Sequence, residues 1–306
     1  MLHASDTPDT SGASAPATAG AHHTESQPPS GRATRHWRLE DIDWAGFERS
    51  AVDPRLLAAV KTAAVVEANS ADYVRYLDNV FADDPAFRAA AARWGEEEAQ
   101  HGAALGRWAE LADPGFDFAA ALARFRAGYR IPLDAAESVR GSRAGELLAR
   151  CVVESGTCSY YSALRDRAAE PVLRDICHRI AQDEAQHYRL FHRHLARYAR
   201  QAGLGPWARL RIALGRVGET DDDELAFAWF SANEATRPGA RYERARCAAV
   251  YQRLVMSMYG LAHVRALVSM IALALGLRGT ARLVRMMGWL GWQWLRLRSS
   301  ASFAGG

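Results

Sequence analysis

Apolar residues recur at helical spacing along most of the chain. Over 54–82, Leu57, Val60, Ala64, Ala71 and Val74 keep one stripe, and Glu67 interrupts it. A charge on an apolar stripe marks either a buried ligand or the stripe's edge. Further helices are predicted over 85–112, 142–168 and 171–201. Asp84-Pro85 and Glu170-Pro171 read as helix starts with Pro at the first helical position, and Gly203 and Gly205-Pro206 close the last helix. The connection 113–141 holds Pro114-Gly115 and Ile131-Pro132 and a short helix near 118–125. It is long enough to cross over a bundle. Beyond it, the acidic run 221–224 reads as another helix start, and 241–277 as a long helix interrupted only by Gly260.

Polar residues fall on these helices in a repeated spacing. Glu98-Ala99-Gln100-His101 and Glu184-Ala185-Gln186-His187 each aim a carboxylate and an imidazole at one point, because residues three apart share a helix face. Glu67 precedes Glu98 by 31 residues, and Glu154 precedes Glu184 by 30. If the chain reverses just before Pro85 and Pro171, each member of a pair lies about 15 residues, roughly 22 Å, from the shared turn. Two antiparallel hairpins would then bring four glutamates and two histidines to one level. That set matches the carboxylate-bridged di-metal sites of ferritin-like bundles. Buried without cations, four carboxylates would repel one another and suffer heavy desolvation. The alternative is four solvated helix faces. The predicted fold is all-α: a four-helix bundle with a crossover connection, plus C-terminal helices.

Composition changes the picture at the two ends. The chain has 306 residues, 49% of them hydrophobic, and a formal charge of +3. Residues 1–35, rich in Ser, Thr, Ala, Pro and Gly, are expected to be a disordered tail with no secretory h-region. Residues 36–203 form the predicted bundle, with Trp37, Leu39, Ile42, Trp44 and Phe47 as a cap. Residues 204–306 are a basic extension, with 14 Arg against 7 acids. Its apolar stretch 254–277 has the length of a membrane span, but Arg265 near the middle would cost about 2.5–3.5 kcal/mol there, so packing on the bundle or on a second subunit is the blander reading. Arg278, Arg282, Arg285, Arg296 and Arg298 interleave with Trp289, Trp292 and Trp294, a pattern suited to an anionic surface or an acidic partner. Cys151, Cys158, Cys177 and Cys247 form no C-x-x-C pair and fit a reducing, cytoplasmic interior as small hydrophobes.

The ligand helices resemble the soluble acyl-carrier-protein desaturases of the ferritin-like superfamily. Trp94-Gly95-Glu96-Glu97-Glu98-Ala99-Gln100-His101-Gly102 is similar to that family's first Glu-Glu-x-x-His-Gly block, and Ile180 to His187 to its second, Asp-Glu-x-x-His block. Glu154-Ser155-Gly156-Thr157 also places a Thr three residues after a ligand glutamate. The resemblance covers roughly 55–200. It implies two iron ions, with manganese as an alternative metal, bridged by Glu98 and Glu184. Glu67 and His101 would complete one ion, and Glu154 and His187 the other. Asp183 and Glu97 would each orient the histidine of the opposite hairpin, Trp94 would donate to Asp183, and Thr157 would donate to bound oxygen or else to its own backbone.

The resemblance thus implies an O2-activating oxidoreductase that desaturates or hydroxylates an acyl chain. Iron oxidation or peroxide removal, as in ferritins and rubrerythrins, is the second reading, although the rubredoxin cysteines of the latter are missing. A radical-storing role has less support, because 102–112 place no Tyr close after His101. A metal-binding scaffold without catalysis is the non-enzyme reading. An external electron donor of ferredoxin or reductase type, an acyl carrier protein, a homodimer, and peripheral membrane contact through 278–298 are the expected partners; nucleic acid is not among them.

Overall fold

Asp53, Asp84, Asp117, Ser142 and Glu170 each accept a backbone N–H from the first turn of the helix that follows, which fixes where five helices begin. The structure is a computed structural model, described here over residues 36–218, 223–277 and 282–301. The expected tail 1–35, Arg278 and the start of the acidic run 221–224 lie outside the described residues, as do the side chains of Trp294 and Arg298. The chain from Trp37 onward forms one compact unit. Three short 3-10 turns over 39–51 precede α1 (Pro54–Glu67), α2 (Ser70–Val80), α3 (Pro85–Ala112), α4 (Phe118–Gly128), α5 (Arg143–Arg167) and α6 (Pro171–Ala202). There follow α7 (Pro206–Gly218), α8 (Asp223–Asn233), α9 (Arg244–Met258), α10 (Leu261–Ala274) and α11 (Arg282–Ala301). The described residues are all helix and loop, without a strand.

The core has three apolar clusters, the smallest of them joining α8 to α9, and the buried glutamates of the bundle lie between the two larger ones. Along α3 the first cluster ends at Trp94 and the second begins at Ala104; along α5 the first ends at Cys151 and the second begins at Tyr160. Along α6 the order reverses, from Ile180 and Ala181 of one cluster to Tyr188 of the other. The same reversal runs from Val65 of α1 to Tyr76 of α2. Thus α3 and α5 run one way, α1–α2 and α6 the other, and Glu67, Glu98, Glu154 and Glu184 all fall in the polar layer between. The C-terminal helices pack directly on these: α8 on α1 and α4, α10 on α5 and α11.

Two predicted helices are shorter than their patterns suggest. The segment 54–82 is broken after Glu67, because α3 comes too close there for a continuous side-chain layer. A Cβ on Gly102 would lie 2.5 Å from the backbone nitrogen of Ala68 and 2.7 Å from its Cβ. The carbonyl freed at the break is taken by Arg126, whose guanidinium donates to Ala68 O at 2.7 Å, and Ser70 Oγ donates to Gly95 O at 2.8 Å. Gly102→Ala should therefore destabilise. The helix gains about 1 kcal/mol from losing a glycine, but a clash with fixed backbone costs up to about 3 kcal/mol, leaving a net loss of up to about 2 kcal/mol. A thermal melt checks this; a variant melting at or above wild type would show that the break can move. The second is 241–277, which Gly260 splits: α9 and α10 meet at a bend of 106°. Among the described residues no single helix is long and apolar enough to cross a membrane, and only this bent pair passes by length and composition together.

Candidate metal centre

Glu67 ends α1, Glu98 and His101 share a face of α3, Glu154 sits on α5, and Glu184 and His187 share a face of α6. All six side chains are buried. Glu67, Glu98, His101 and Glu184 form one group able to hold a metal ion, and Glu98, Glu154, Glu184 and His187 a second. Within each group one potential ligand atom from every residue lies within 4.8 Å of the others. Glu98 and Glu184 belong to both.

The two imidazoles are oriented as ligands. His101 Nε2 lies 3.1 Å from Asp183 Oδ2, and His187 Nε2 lies 2.7 Å from Glu97 Oε2, each carboxylate coming from the opposite hairpin. An N–H pointed outward at a carboxylate leaves Nδ1 as the lone-pair nitrogen, the arrangement metal-bound histidines usually show. His101 Nδ1 then faces Glu98 Oε2 at 3.3 Å, Glu184 Oε1 at 3.4 Å and Glu67 Oε2 at 4.0 Å. His187 Nδ1 faces Glu98 Oε1 at 3.2 Å and Glu154 Oε2 at 3.7 Å. Glu98 thus turns one oxygen to each imidazole. Both Nδ1 atoms, with Glu154 Oε1 and Glu184 Oε1, are fully buried polar atoms with no hydrogen-bond partner. Buried polar groups are rarely left so, and lone pairs converging from two nitrogens and several carboxylate oxygens form a donor set that could hold a metal ion.

The electrostatics agree. Burial, joined by the neighbouring Glu98 and Glu184 charges, pushes the Glu67 carboxyl well above its usual range, and burial does the same to Glu154. Burial disfavours charge on His101 and His187 too, yet hydrogen bonds to the surrounding carboxylates outweigh it and raise both. Burial also opposes ionisation of Glu98 and Asp183, but the adjoining Glu67 carboxyl and the two imidazoles hold Glu98 low, and hydrogen bonds from His101 and Trp37 hold Asp183 low. The metal-free cluster therefore keeps protons that a cation must displace. Groups with raised values stabilise the metal-free fold below their unfolded values and lose that contribution as pH rises through the folded ones. Metal binding gains over the same rise, as its proton competitors leave. The melting gap between metal-loaded and metal-free protein should widen as pH rises above the ordinary carboxylate range, where Glu67 and Glu154 still hold protons in the metal-free fold. Glu98 and Asp183, held low, lose theirs before that rise. A gap that narrows would mean that the cation does not displace these protons.

The residues around the ligands differ in part from the sequence reading. Trp94 is buried and packs edge-on against His187, with ring centroids 6.5 Å apart, but its Nε1 has no partner. Trp37 takes the place expected for it. Trp37 Nε1 donates to Asp183 Oδ2 at 2.6 Å, and its ring lies parallel to His101 at 6.0 Å. Trp37 was legible only as an apolar cap residue, since nothing in its spacing ties it to α6. Thr157 Oγ1 donates to Glu184 Oε2, with the carbonyls of Glu154 and Val153 one turn earlier, at 3.3 and 3.4 Å, as weaker acceptors. Its single hydroxyl proton is thus held by a shared glutamate. Tyr161 of α5, which the sequence did not single out, donates its buried hydroxyl to Glu67 Oε1 at 2.5 Å. The cysteines stay out of the site: all four are free, and burial pushes the Cys158 thiol up to about 11.

No family model matches this chain, and no curated protein matches it in sequence.

Proposed function

We propose that the cluster holds two iron ions and that the chain is an O2-activating oxidoreductase of the ferritin-like di-iron superfamily, acting on an acyl chain. In this reading α1–α2, α3, α5 and α6 are the four-helix bundle, and 113–142 is its crossover. The observation that carries it is the pair of inward Nδ1 lone pairs, each ringed by carboxylates and each held by an outward bond to a carboxylate of the opposite hairpin. Glu98 and Glu184 would be shared between the ions, Glu67 with His101 would complete one, and Glu154 with His187 the other. An iron pair so held supplies the O2 chemistry that oxidises unactivated C–H bonds. The protein's share is to fix the ligands, keep the layer dry between its two larger apolar clusters, and place Thr157 and Tyr161 on ligand carboxylates.

Electrons come from a separate donor in this proposal. The face of α11 supports a peripheral contact with an anionic surface or an acidic acyl carrier. Met286, Met287, Trp289 and Leu290 are exposed there beside exposed Arg285 and Arg296. The test is anaerobic loading with ferrous iron, then O2 with acyl thioesters, followed by mass spectrometry of the acyl group. A product lighter by two hydrogens or heavier by one oxygen is expected. Iron oxidised at the expense of O2, with every acyl group unchanged, would favour iron oxidation or peroxide removal instead.

A further inference from the structure

A cavity of about 250 Å³ opens where α6, the start of α7 and the end of α10 meet. His192, Arg200 and Arg209 line it, and no carboxylate does. Its floor is apolar, made of alanines and the core residue Leu195. Leu273 stands at its edge 46% exposed, and Leu277, just past the lining residue Gly276, is 42% exposed.

The charge around it is one-sided. Residues 185–218, which include the end of α6 and all of α7, hold seven arginines and no acid. Residues 244–306 hold nine arginines and no acid. The cavity lies where these two acid-free stretches meet. Two of its cations are held in place. The His192 ring stacks on Tyr188 with centroids 5.6 Å apart, and the Tyr188 hydroxyl donates to Met270 O of α10 at 2.8 Å. Arg209 Nε donates to Leu204 O at 3.0 Å, which fixes the guanidinium. Gly276 has φ +86°, and a Cβ there would lie 3.4 Å from a terminal nitrogen of Arg209. The glycine turns the chain after α10 and leaves the guanidinium room.

Arginines near helix C-termini are ordinarily explained by the helix dipole, and that covers Arg200 and the Arg209 bond to Leu204. It does not call for a histidine beside them, for an apolar floor, or for leucines left exposed at the edge.

We propose that this cavity seats the phosphate of an anionic phospholipid, with the glycerol end of the lipid against Leu273 and Leu277. A phosphodiester has two unbridged oxygens that match the fork of an arginine. A free phosphate would satisfy the cations equally but leave the leucines in water. A headgroup at a membrane surface satisfies both. The site does not depend on the metal centre. It is also distinct from the α11 face, since no residue of α11 lines the cavity.

The test floats the full chain with vesicles of phosphatidylcholine, with and without phosphatidylglycerol. Arg200→Gln/Arg209→Gln removes two cations from the cavity. Arg193→Gln/Arg211→Gln removes two exposed cations from the same two helices, neither of them lining it. Both pairs leave α11 unaltered. The wild-type chain should float with the anionic vesicles and not with the neutral ones. The cavity pair should bind about tenfold more weakly than the control pair, because it loses bidentate contacts as well as charge. Melts check the fold. If the cavity pair is unstable, Arg200→Gln alone, which keeps the Arg209 bond to Leu204, is compared with Arg193→Gln. Equal losses in cavity and control variants would mean a diffuse basic surface and overturn the proposal. So would unchanged flotation of the cavity variants, or equal binding to neutral vesicles. A melting temperature raised by inorganic phosphate only when the cavity arginines are present, with no binding to vesicles, would make this a site for free phosphate and overturn the lipid assignment.

Discussion

Replacing either shared carboxylate, as Glu98→Ala or Glu184→Ala, is expected to reduce bound metal from a pair of ions per chain to one or none. Glu98 presents one oxygen toward each imidazole, at 3.3 and 3.2 Å, and Glu184 belongs to both ligand groups. Removing either leaves both ions short of a donor, whereas removing Glu67 or Glu154 leaves the opposite group intact. Stability should report the same loss. A ligand present at about a hundred times its dissociation constant stabilises a fold by about 2.7 kcal/mol. In a chain of this size that is a rise in melting temperature of several degrees, which the variants should largely forfeit. Metal analysis beside a melt with and without added ferrous ion decides it. Two ions bound to either variant would remove the shared role of these glutamates.

Asp183→Ala should have the second largest effect, without removing a ligand. Asp183 Oδ2 accepts from both His101 Nε2 and Trp37 Nε1, in a site that admits almost no solvent. Truncation leaves two buried N–H donors without their acceptor, a cost of about 1–3 kcal/mol. It also frees His101 to turn or change tautomer, and losing such an orienting partner typically lowers metal affinity by about 10–100-fold. Asp183→Asn, which keeps an acceptor oxygen, should fall between. Trp37→Phe keeps the ring on His101 and loses only its hydrogen bond, so it should weaken binding less than Asp183→Ala. Competition against a chromophoric chelator measures all three. An Asp183→Ala protein that binds metal as tightly as wild type would show that the His101 orientation is fixed by packing alone.

The convergence of these six side chains was legible because helical geometry converts spacing into direction. Two Glu-x-x-His tetrapeptides and two glutamates at nearly equal offsets, read with proline at two helix starts, bring six side chains to one level. The polar layer between two apolar clusters shows why that holds: each helix crosses it once. Asp183 and Glu97 were legible for the same reason, being one residue from a ligand glutamate and turned toward the opposite hairpin.

What spacing could not reach was contact between elements whose relation is set by packing. Trp37 lies 146 residues before the aspartate it bonds. Tyr161 lies 94 residues after the glutamate it bonds, seven residues beyond the ligand of its own helix. That interval is two helical turns, so Tyr161 faces the same way as Glu154, and its spacing on α5 was the one signal for it in the sequence. The break after Glu67 was hidden as well, because Ala68 and Asn69 are not strong helix breakers; it follows from the close approach of Gly102, a glycine visible in the sequence whose partner was not.

Anomalous X-ray scattering at the iron edge, from crystals of the ferrous-loaded protein, tests the central claim most directly. The account predicts two peaks in the polar layer, both beside Glu98 and Glu184, one next to His101 and Glu67, the other next to His187 and Glu154. A protein that takes up iron yet shows no peak among these six side chains, or shows its peaks elsewhere on the chain, would contradict it.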